Sequence, residues 1–494
     1  MPVWIAALVG VALLGNLAGL LGIGLLPDEA YYWVWSQRPQ WGYFDHPPLI
    51  AWLMLPGAWL FNDAAWAVRL PAVASWLVGA VVGYRMAQQI FGGTAGALAL
   101  MVWASLPIMQ VGFHVVTPDN ALIIFTWLGL WAAWRAGQEP GARWWLLTGS
   151  CIGLALLAKY PAVLLMGALF FALLSSQDGR RWLVTPWPWL GCLLALILFM
   201  PVVFWNGTHD WVSFRFQFGH GVKASTDNNL LAMFMLFLGG QLVVAMPWSY
   251  FAMMWAPFSR VGRSLDGYTR ALLSWNFFLP MSVFGIAGLT ASSGPNWPVS
   301  AYAAGTLLLA GLLNDLLYRD GKPRQARAWF IIGLFLLPHL LLNIMRFPHL
   351  VVELAGDKLP PQRTQLTNSY GWEPVATVLR EQLSVMDNSD TCHILTGYHG
   401  RAGMIAWMLR LPDRVDATMS ARVSQYTLWR NEVEQEPDYC LYLQQYDSRS
   451  VSNKNMIPTV RELPEGVFEI LRVIEVKNPD GSKRWFGIYR AAST

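Results

Sequence analysis

The chain has 494 residues, of which 55% are hydrophobic and 13% charged, about half the roughly 25% charged content of a soluble domain. That balance excludes a wholly soluble enzyme. The formal net charge of +4 is too small to define a partner class, and no nucleic-acid partner is expected. The 28 tryptophans suit a protein with many helix ends at the lipid headgroup level.

Residues 3–26 carry no charge and exceed the roughly 20 residues that cross a bilayer. They follow no basic n-region and precede no small-residue cleavage site, so a retained first membrane helix is expected rather than a cleaved signal. Further apolar stretches occupy 64–90, 94–113, 118–137, 143–158, 160–175, 187–205, 229–257, 271–291, 297–314 and 327–345, giving about eleven predicted spans. The shorter stretch 48–61 reads as a helix lying along the interface. Alternate connections hold very different numbers of cations. One set carries Arg85, Arg135, Arg143, Arg180, Arg181, Arg260, Arg263, Arg270, Arg319, Lys322, Arg324 and Arg327; the other carries Arg38, Arg69, Lys159, Arg215 and Lys223. The richer set is therefore predicted to be cytoplasmic, with the N-terminus inside. The loops at 27–63 and 206–228, and everything beyond about 346, are then outside.

Beyond Arg346 the texture becomes polar. Strand-like runs (HILTGY, YCLYLQ, EILRVIEV, RWFGIYR) alternate with helix-like runs (EPVATVLREQL, RAGMIAWMLR). The expected organisation is a membrane domain over 1–346 and a soluble α/β domain with a partly parallel sheet over 347–494. Cys151 and Cys192 fall in apolar runs and read as small core residues. Cys392 and Cys440 fall in the tail, where an extracytoplasmic setting permits a disulfide.

The first outer loop carries the clearest chemistry. It reads PDEAYYWVWSQRPQWGYFDHPPL, placing Asp28 and Glu29 directly after the first membrane helix and Asp45 and His46 before two prolines. Charges so near hydrocarbon line a wet cavity or do chemical work. The plainer alternative is structural: Pro27, Asp28 and Glu29 also make a good helix start, and His46 precedes a Pro-restricted turn.

The Asp-Glu pair closing the first helix, followed by Tyr43-Phe44-Asp45-His46-Pro47-Pro48-Leu49, resembles glycosyltransferase family 39. That family includes the dolichyl-phosphate-mannose protein mannosyltransferases, and the motifs are also similar to bacterial transferases that carry aminoarabinose to lipid A. Weaker marks recur at Thr117-Pro118-Asp119, Ala158-Lys159-Tyr160-Pro161, Asn296-Trp297-Pro298, Gly371-Trp372 and Gln425-Tyr426-Thr427-Leu428-Trp429. The resemblance implies a membrane-embedded GT-C fold and an inverting transfer of one sugar from a polyprenyl-phosphate donor to an extracytoplasmic hydroxyl. The setting it implies is a bacterial inner membrane, with the tail periplasmic. Asp28 is then the general base, and Glu29 orients it or binds sugar hydroxyls. Lys159 is the leading candidate for steadying the leaving phosphate, with a snorkelling helix-end lysine as the alternative. Arg69, Asp119 and Asn296 join Asp45 and His46 as substrate-binding candidates; Arg215, His220 and Lys223 are weaker. Asp45 and His46 are also ligand types for a divalent metal, but two ligands do not define a site. The stretch TASSGP before Asn296 holds no basic residue, where many family members are expected to carry one.

Two other readings stand beside this one. A ligase or polymerase joining whole lipid-linked glycans would share the setting and differ in the size of the transferred unit. A transporter or flippase would place its charges near mid-membrane, often in repeated halves. Here charges sit in loops and at helix ends; His339 is one exception and reads as a satisfied interhelical histidine.

Overall fold

Each of the eleven apolar stretches lies on helix in the computed structural model. It describes residues 2–222, 229–290, 294–318, 325–346, 368–386, 390–417, 422–432, 437–446, 468–478 and 483–491. Lys223, Arg319, Lys322 and Arg324 lie outside these residues, as do the Ala-Ser-Ser of TASSGP and the side chains of His220 and His339.

The count of spans differs from the expected eleven. Among the described residues five helices are individually long and apolar enough to cross a bilayer, and up to eight if three bent pairs each form one span. The bends are 65° between Ala95–Ser105 and Pro107–His114, 113° between Tyr160–Ser175 and Gln177–Leu183, and 100° between Leu230–Ala245 and Pro247–Ser264. Pro107 and Pro247 open the second helix of two of these pairs. Proline supplies no N–H and pushes the preceding residue out of helical geometry, so an unbroken apolar run folds as an elbow. Ala142–Ala158 is apolar but only 17 residues long.

By packing, the chain forms two units: Met1–Leu20, Gln40–Leu53 and Arg69–Asn343 in one, and Leu21–Pro39, Met54–Val68 and Ile344–Thr494 in the other. This division is not the linear one expected at 346/347. Two pieces of the first loop region pack with the tail instead.

Within the first unit, helices meet closely where side chains are small. A Cβ added at Gly149 would overlap the Gly191 carbonyl, so Ala142–Ala158 and Trp187–Thr208 touch backbone to backbone. Between apolar helices such approach supplies the dispersion contacts that hydrophobic exclusion does not. Large rings fill the remaining space. Trp103 and Trp127 meet edge to face at 5.2 Å, and Trp103 Nε1 donates to the Trp76 carbonyl at 3.0 Å, satisfying a polar group that would be costly to bury alone.

In the second unit, β1 (His393–Thr396), β2 (Val415–Asp416), β3 (Tyr439–Tyr446), β4 (Phe468–Lys477) and β5 (Lys483–Ala491) form one sheet in the order β2-β1-β3-β5-β4. β1 runs parallel to both β2 and β3, whereas β5 runs antiparallel to β3 and β4. The sheet is thus partly parallel, as the alternating pattern predicts. Leu395, Tyr442, Tyr446 and Tyr489 form a buried cluster on it.

The Pro27–Gln37 helix belongs to this unit because it packs against His399–Leu409. A Cβ on Gly403 would lie 2.6 Å from the Tyr31 backbone nitrogen, so only glycine admits the crossing. The Tyr31 hydroxyl accepts the Gln425 N–H at 2.7 Å, and Arg38 Nε donates to Asp413 at 2.6 Å. Arg38 also lies 4.7 Å from the centre of the Trp429 ring. Asp63 joins in by accepting from Trp33 Nε1 at 2.7 Å, while its carbonyl accepts from Trp407 Nε1 at 2.9 Å.

A disulfide joins Cys392 and Cys440, with Cα atoms 5.4 Å apart and a sequence separation of 48. Closing a loop of that length stabilises by about 4 kcal/mol in the chain-entropy account. Cys392→Ser should therefore lower the denaturant midpoint of the second unit, followed on the full chain in detergent. Identical midpoints for oxidised and reduced wild type would show that the bridge contributes nothing.

Candidate active site

The two acids of the first loop occupy different environments. Pro27 begins the Pro27–Gln37 helix, where its missing N–H costs nothing, and acids in the first turn suit the positive end of the helix dipole. Glu29 is fully buried, and its Oε2 accepts the Leu26 N–H at 2.8 Å. Its carboxylate therefore closes the helix start and fixes the chain leaving the first membrane helix. Asp28, one residue earlier, opens to solvent. Protein packed around the rest of its carboxyl raises its pKa above the ordinary carboxylate value. Loss of water is the main cause, Arg422 opposes it, and the Glu29 charge adds to it.

Beyond Asp28 the helix presents Tyr31 to an aromatic group from the tail. His399 lies 4.7 Å from Tyr31 and 4.3 Å from Tyr398, ring centre to ring centre, and Tyr426 stacks on Tyr31 at 5.7 Å. Burial lowers the His399 pKa to about 3, with Arg422 pushing the same way. His399 is thus a neutral packing ring at physiological pH, not a proton carrier.

In the first unit the structure brings three of the sequence candidates into contact. Lys159 Nζ donates to Asp119 Oδ1 at 2.7 Å, and Asn296 Nδ2 donates to Asp119 Oδ2 at 2.6 Å. The Lys159 and Asp119 side chains are only 11% and 12% exposed, which separates this pair from an ordinary surface ion pair. Each residue stands at a break in helix. Asp119 is in the first turn of Pro118–Gln138, Lys159 lies between Ala142–Ala158 and the short turn Tyr160–Ala162, and Asn296 precedes Ala301–Tyr318. The Thr117 N–H bonds to Asn120 Oδ1 at 2.7 Å, and Asn120 Nδ2 reaches the Gly112 carbonyl at 2.7 Å. That anchoring fixes the helix start and with it the Asp119 backbone. A lysine snorkelling to water is not what this geometry shows.

Asp45 is buried, and its carbonyl accepts from Gln217 Nε2 at 2.5 Å. The His46 carbonyl accepts the Tyr43 N–H at 3.1 Å, closing a tight turn. Arg69 is fully buried where Leu70–Phe91 begins. Among the described residues no group of three His, Cys, Asp or Glu is placed to hold a metal ion. Among those residues Asp45 and His46 thus gain no third ligand of those types.

Sequence reasoning missed the contribution of the tail to the surroundings of Asp28. Arg422 and His399 carry no motif, and nothing local marks them out from other tail residues. The Gln425–Trp429 run bears on the Asp28 helix through Gln425 and Tyr426.

A family profile described as dolichyl-phosphate-mannose-protein mannosyltransferase matches residues 45–205. The lipid A galacturonosyltransferase RgtD of Rhizobium johnstonii is 27% identical over 370 residues, covering 74% of this chain and 75% of that protein. The undecaprenyl phosphate-alpha-4-amino-4-deoxy-L-arabinose arabinosyl transferase of Edwardsiella ictaluri is 26% identical over 300 residues, 57% of this chain and about half (51%) of that one. Among solved structures, ArnT from Cupriavidus metallidurans in its apo state superposes with a TM-score of 0.64 at 16% identity, covering 98% of this chain and 97% of ArnT. The form bound to undecaprenyl phosphate gives 0.62 at 18%, covering 98% of each chain. These are likenesses of fold along almost the whole length, including the C-terminal sheet domain. The chain is a GT-C-fold, multi-pass membrane protein whose sequence is similar to those of the membrane glycosyltransferases named above.

Proposed function

We propose that this protein transfers a single sugar from a polyprenyl-phosphate donor to a hydroxyl of an extracytoplasmic acceptor, with inversion, and that Asp28 is the general base. The observation that carries the assignment is the contrast between the two neighbouring acids: Glu29 is buried and bonded to its own helix start, while Asp28 is open to solvent with a raised pKa. The similarity to a lipid A galacturonosyltransferase along three quarters of both chains supports the reaction class.

In the proposed step the acceptor oxygen attacks the anomeric carbon as its proton passes to the Asp28 carboxylate. The bond from the anomeric carbon to the donor phosphate breaks, and its electron pair leaves with the phosphate. A raised pKa makes the carboxylate a stronger base than a free one. Negative charge gathers on the phosphate, and a fixed cation stabilises it most effectively where water is sparse. We assign that cation to Lys159, oriented in the resting protein by Asp119, which Asn296 holds in turn. Asp45, His46 and Arg69 are proposed as substrate-binding residues and Glu29 as a positioning residue.

The proposed setting is a bacterial inner membrane, N-terminus inside and residues 347–494 in the periplasm. The asymmetry of Lys and Arg among the loops and the Cys392–Cys440 bridge both support it. A lipid A-type glycolipid is the favoured acceptor, on the strength of the galacturonosyltransferase similarity.

Asp28→Asn should fold and insert normally yet lose a hundredfold or more in turnover of a labelled polyprenyl-phosphate sugar, the range set by general bases; near-wild-type turnover removes Asp28 from the mechanism. Because the base must be ionised and burial raises its pKa, kcat/KM should fall with decreasing pH along a limb above the ordinary carboxylate value near 4. Arg422→Gln removes an opposing charge and should move that limb to higher pH; an unmoved limb means another group titrates.

Lys159→Met leaves a buried carboxylate uncompensated, a loss of about 3–5 kcal/mol. Adding Asp119→Asn should restore most of the stability without restoring turnover, and recovery of both would make the pair purely structural. A reporter enzyme active only outside the cytoplasm, fused after Thr494, should be active; silence from a correctly folded fusion breaks the orientation.

A further inference from the structure

The second unit contains a cavity of about 270 Å³ that the proposed reaction leaves unassigned. Its wall includes Pro27, immediately before Asp28, together with Trp372, Tyr398, Arg401, Gln445 and Arg484. The volume is just under the roughly 300 Å³ at which small-molecule sites begin. Among the described residues no acidic side chain lines it, and its two guanidinium groups make it cationic.

Both arginines are held in place. Arg484 is only 3% exposed; its Nη2 donates to the Tyr370 carbonyl, and its Cζ lies 5.5 Å from the ring centres of both Trp372 and Phe486. Arg401 lies over the Tyr398 ring at 5.9 Å. Proximity to aromatic rings suits a planar, weakly hydrated guanidinium, and the donors of such a group match phosphate oxygens. The other lining groups differ in kind. Trp372 contributes an aromatic ring and Gln445 a carboxamide with both donor and acceptor, a combination suited to the apolar face and hydroxyls of a sugar.

We propose that this cavity binds the phosphate monoester of a phosphorylated saccharide, the part of the acceptor next to the hydroxyl that Asp28 deprotonates. The acceptor role rests on the transferase reading above; the binding itself does not. Lining by Pro27 links the two, because the residue that follows it carries the base. An anchored phosphate converts the encounter of hydroxyl and base into a positioned one, the advantage that oriented binding gives any bimolecular step.

The test uses the full chain in detergent with no donor present, titrated by calorimetry with glucosamine 1-phosphate, glucosamine and inorganic phosphate. Glucosamine 1-phosphate should bind at least tenfold more tightly than either of the others. Arg401→Gln should abolish the preference over glucosamine, and Arg401→Lys should keep part of it. Equal affinity for glucosamine and its phosphate, or a preference that survives in Arg401→Gln, overturns the proposal. Inorganic phosphate binding as tightly as the sugar phosphate overturns the saccharide assignment. If Arg401→Gln does not fold, Gln445→Leu carries the comparison: it should weaken the sugar phosphate and spare inorganic phosphate, and unchanged sugar-phosphate binding counts against the site. Wild-type protein that binds the phosphosugar but turns over no polyprenyl donor would sink the transferase reading and leave this site standing.

Discussion

The contact on which the candidate chemistry depends is the crossing of the Pro27–Gln37 helix over His399–Leu409, at the point where Gly403 meets the Tyr31 backbone. An added methyl group at that crossing would have to displace main chain, which a packed interior resists more than any shift of a flexible side chain. Around it the Tyr31–Gln425 hydrogen bond, the Arg38–Asp413 ion pair and the stacked Tyr31, His399 and Tyr426 rings all fix the same helix. Asp28 therefore takes its position and its electrostatic surroundings from residues of the tail. This is why the division by packing ignores the linear boundary at 346.

The Asp119–Lys159 pair imposes a different constraint. Two mostly buried charges repay their desolvation only when geometry and further hydrogen bonds are good, and Asn296 provides the further bond. An anionic ligand competing for Lys159 would have to replace the Asp119 contact or share it, which ties ligand binding to the helix start at Pro118. The ammonium is thereby held in the resting protein, where an unpaired lysine would sample many rotamers.

Much of this was legible from local pattern. The eleven apolar stretches and the alternation of strand and helix in the tail were visible, as was the unusual placement of Asp28, Asp119 and Lys159, because a charge beside an apolar run stands out; uncharged Asn296 showed only through its motif. The elbows at Leu106, Ser176 and Met246 were not, since a hydropathy sum is blind to direction, although Pro107 and Pro247 signalled two of them. The tail arginines stayed hidden for another reason. A polar domain carries many arginines, and only the tertiary fold decides which lies near Asp28 or lines a cavity. The Asp-Glu pair was ambiguous in sequence, and the structure assigns the helix-start role to Glu29 and leaves Asp28 open.

The span of the Tyr31–Gln425 bond has a consequence for biosynthesis. Its partners are 394 residues apart, so at about 5–20 residues per second the ribosome needs roughly 20–80 s after making Tyr31 to reach Gln425. Throughout that interval the helix bearing Asp28 lacks the surface it rests on. A nascent chain thus leaves that helix without its support until the tail has emerged and folded, and a chain truncated before Gly403 would leave it so permanently.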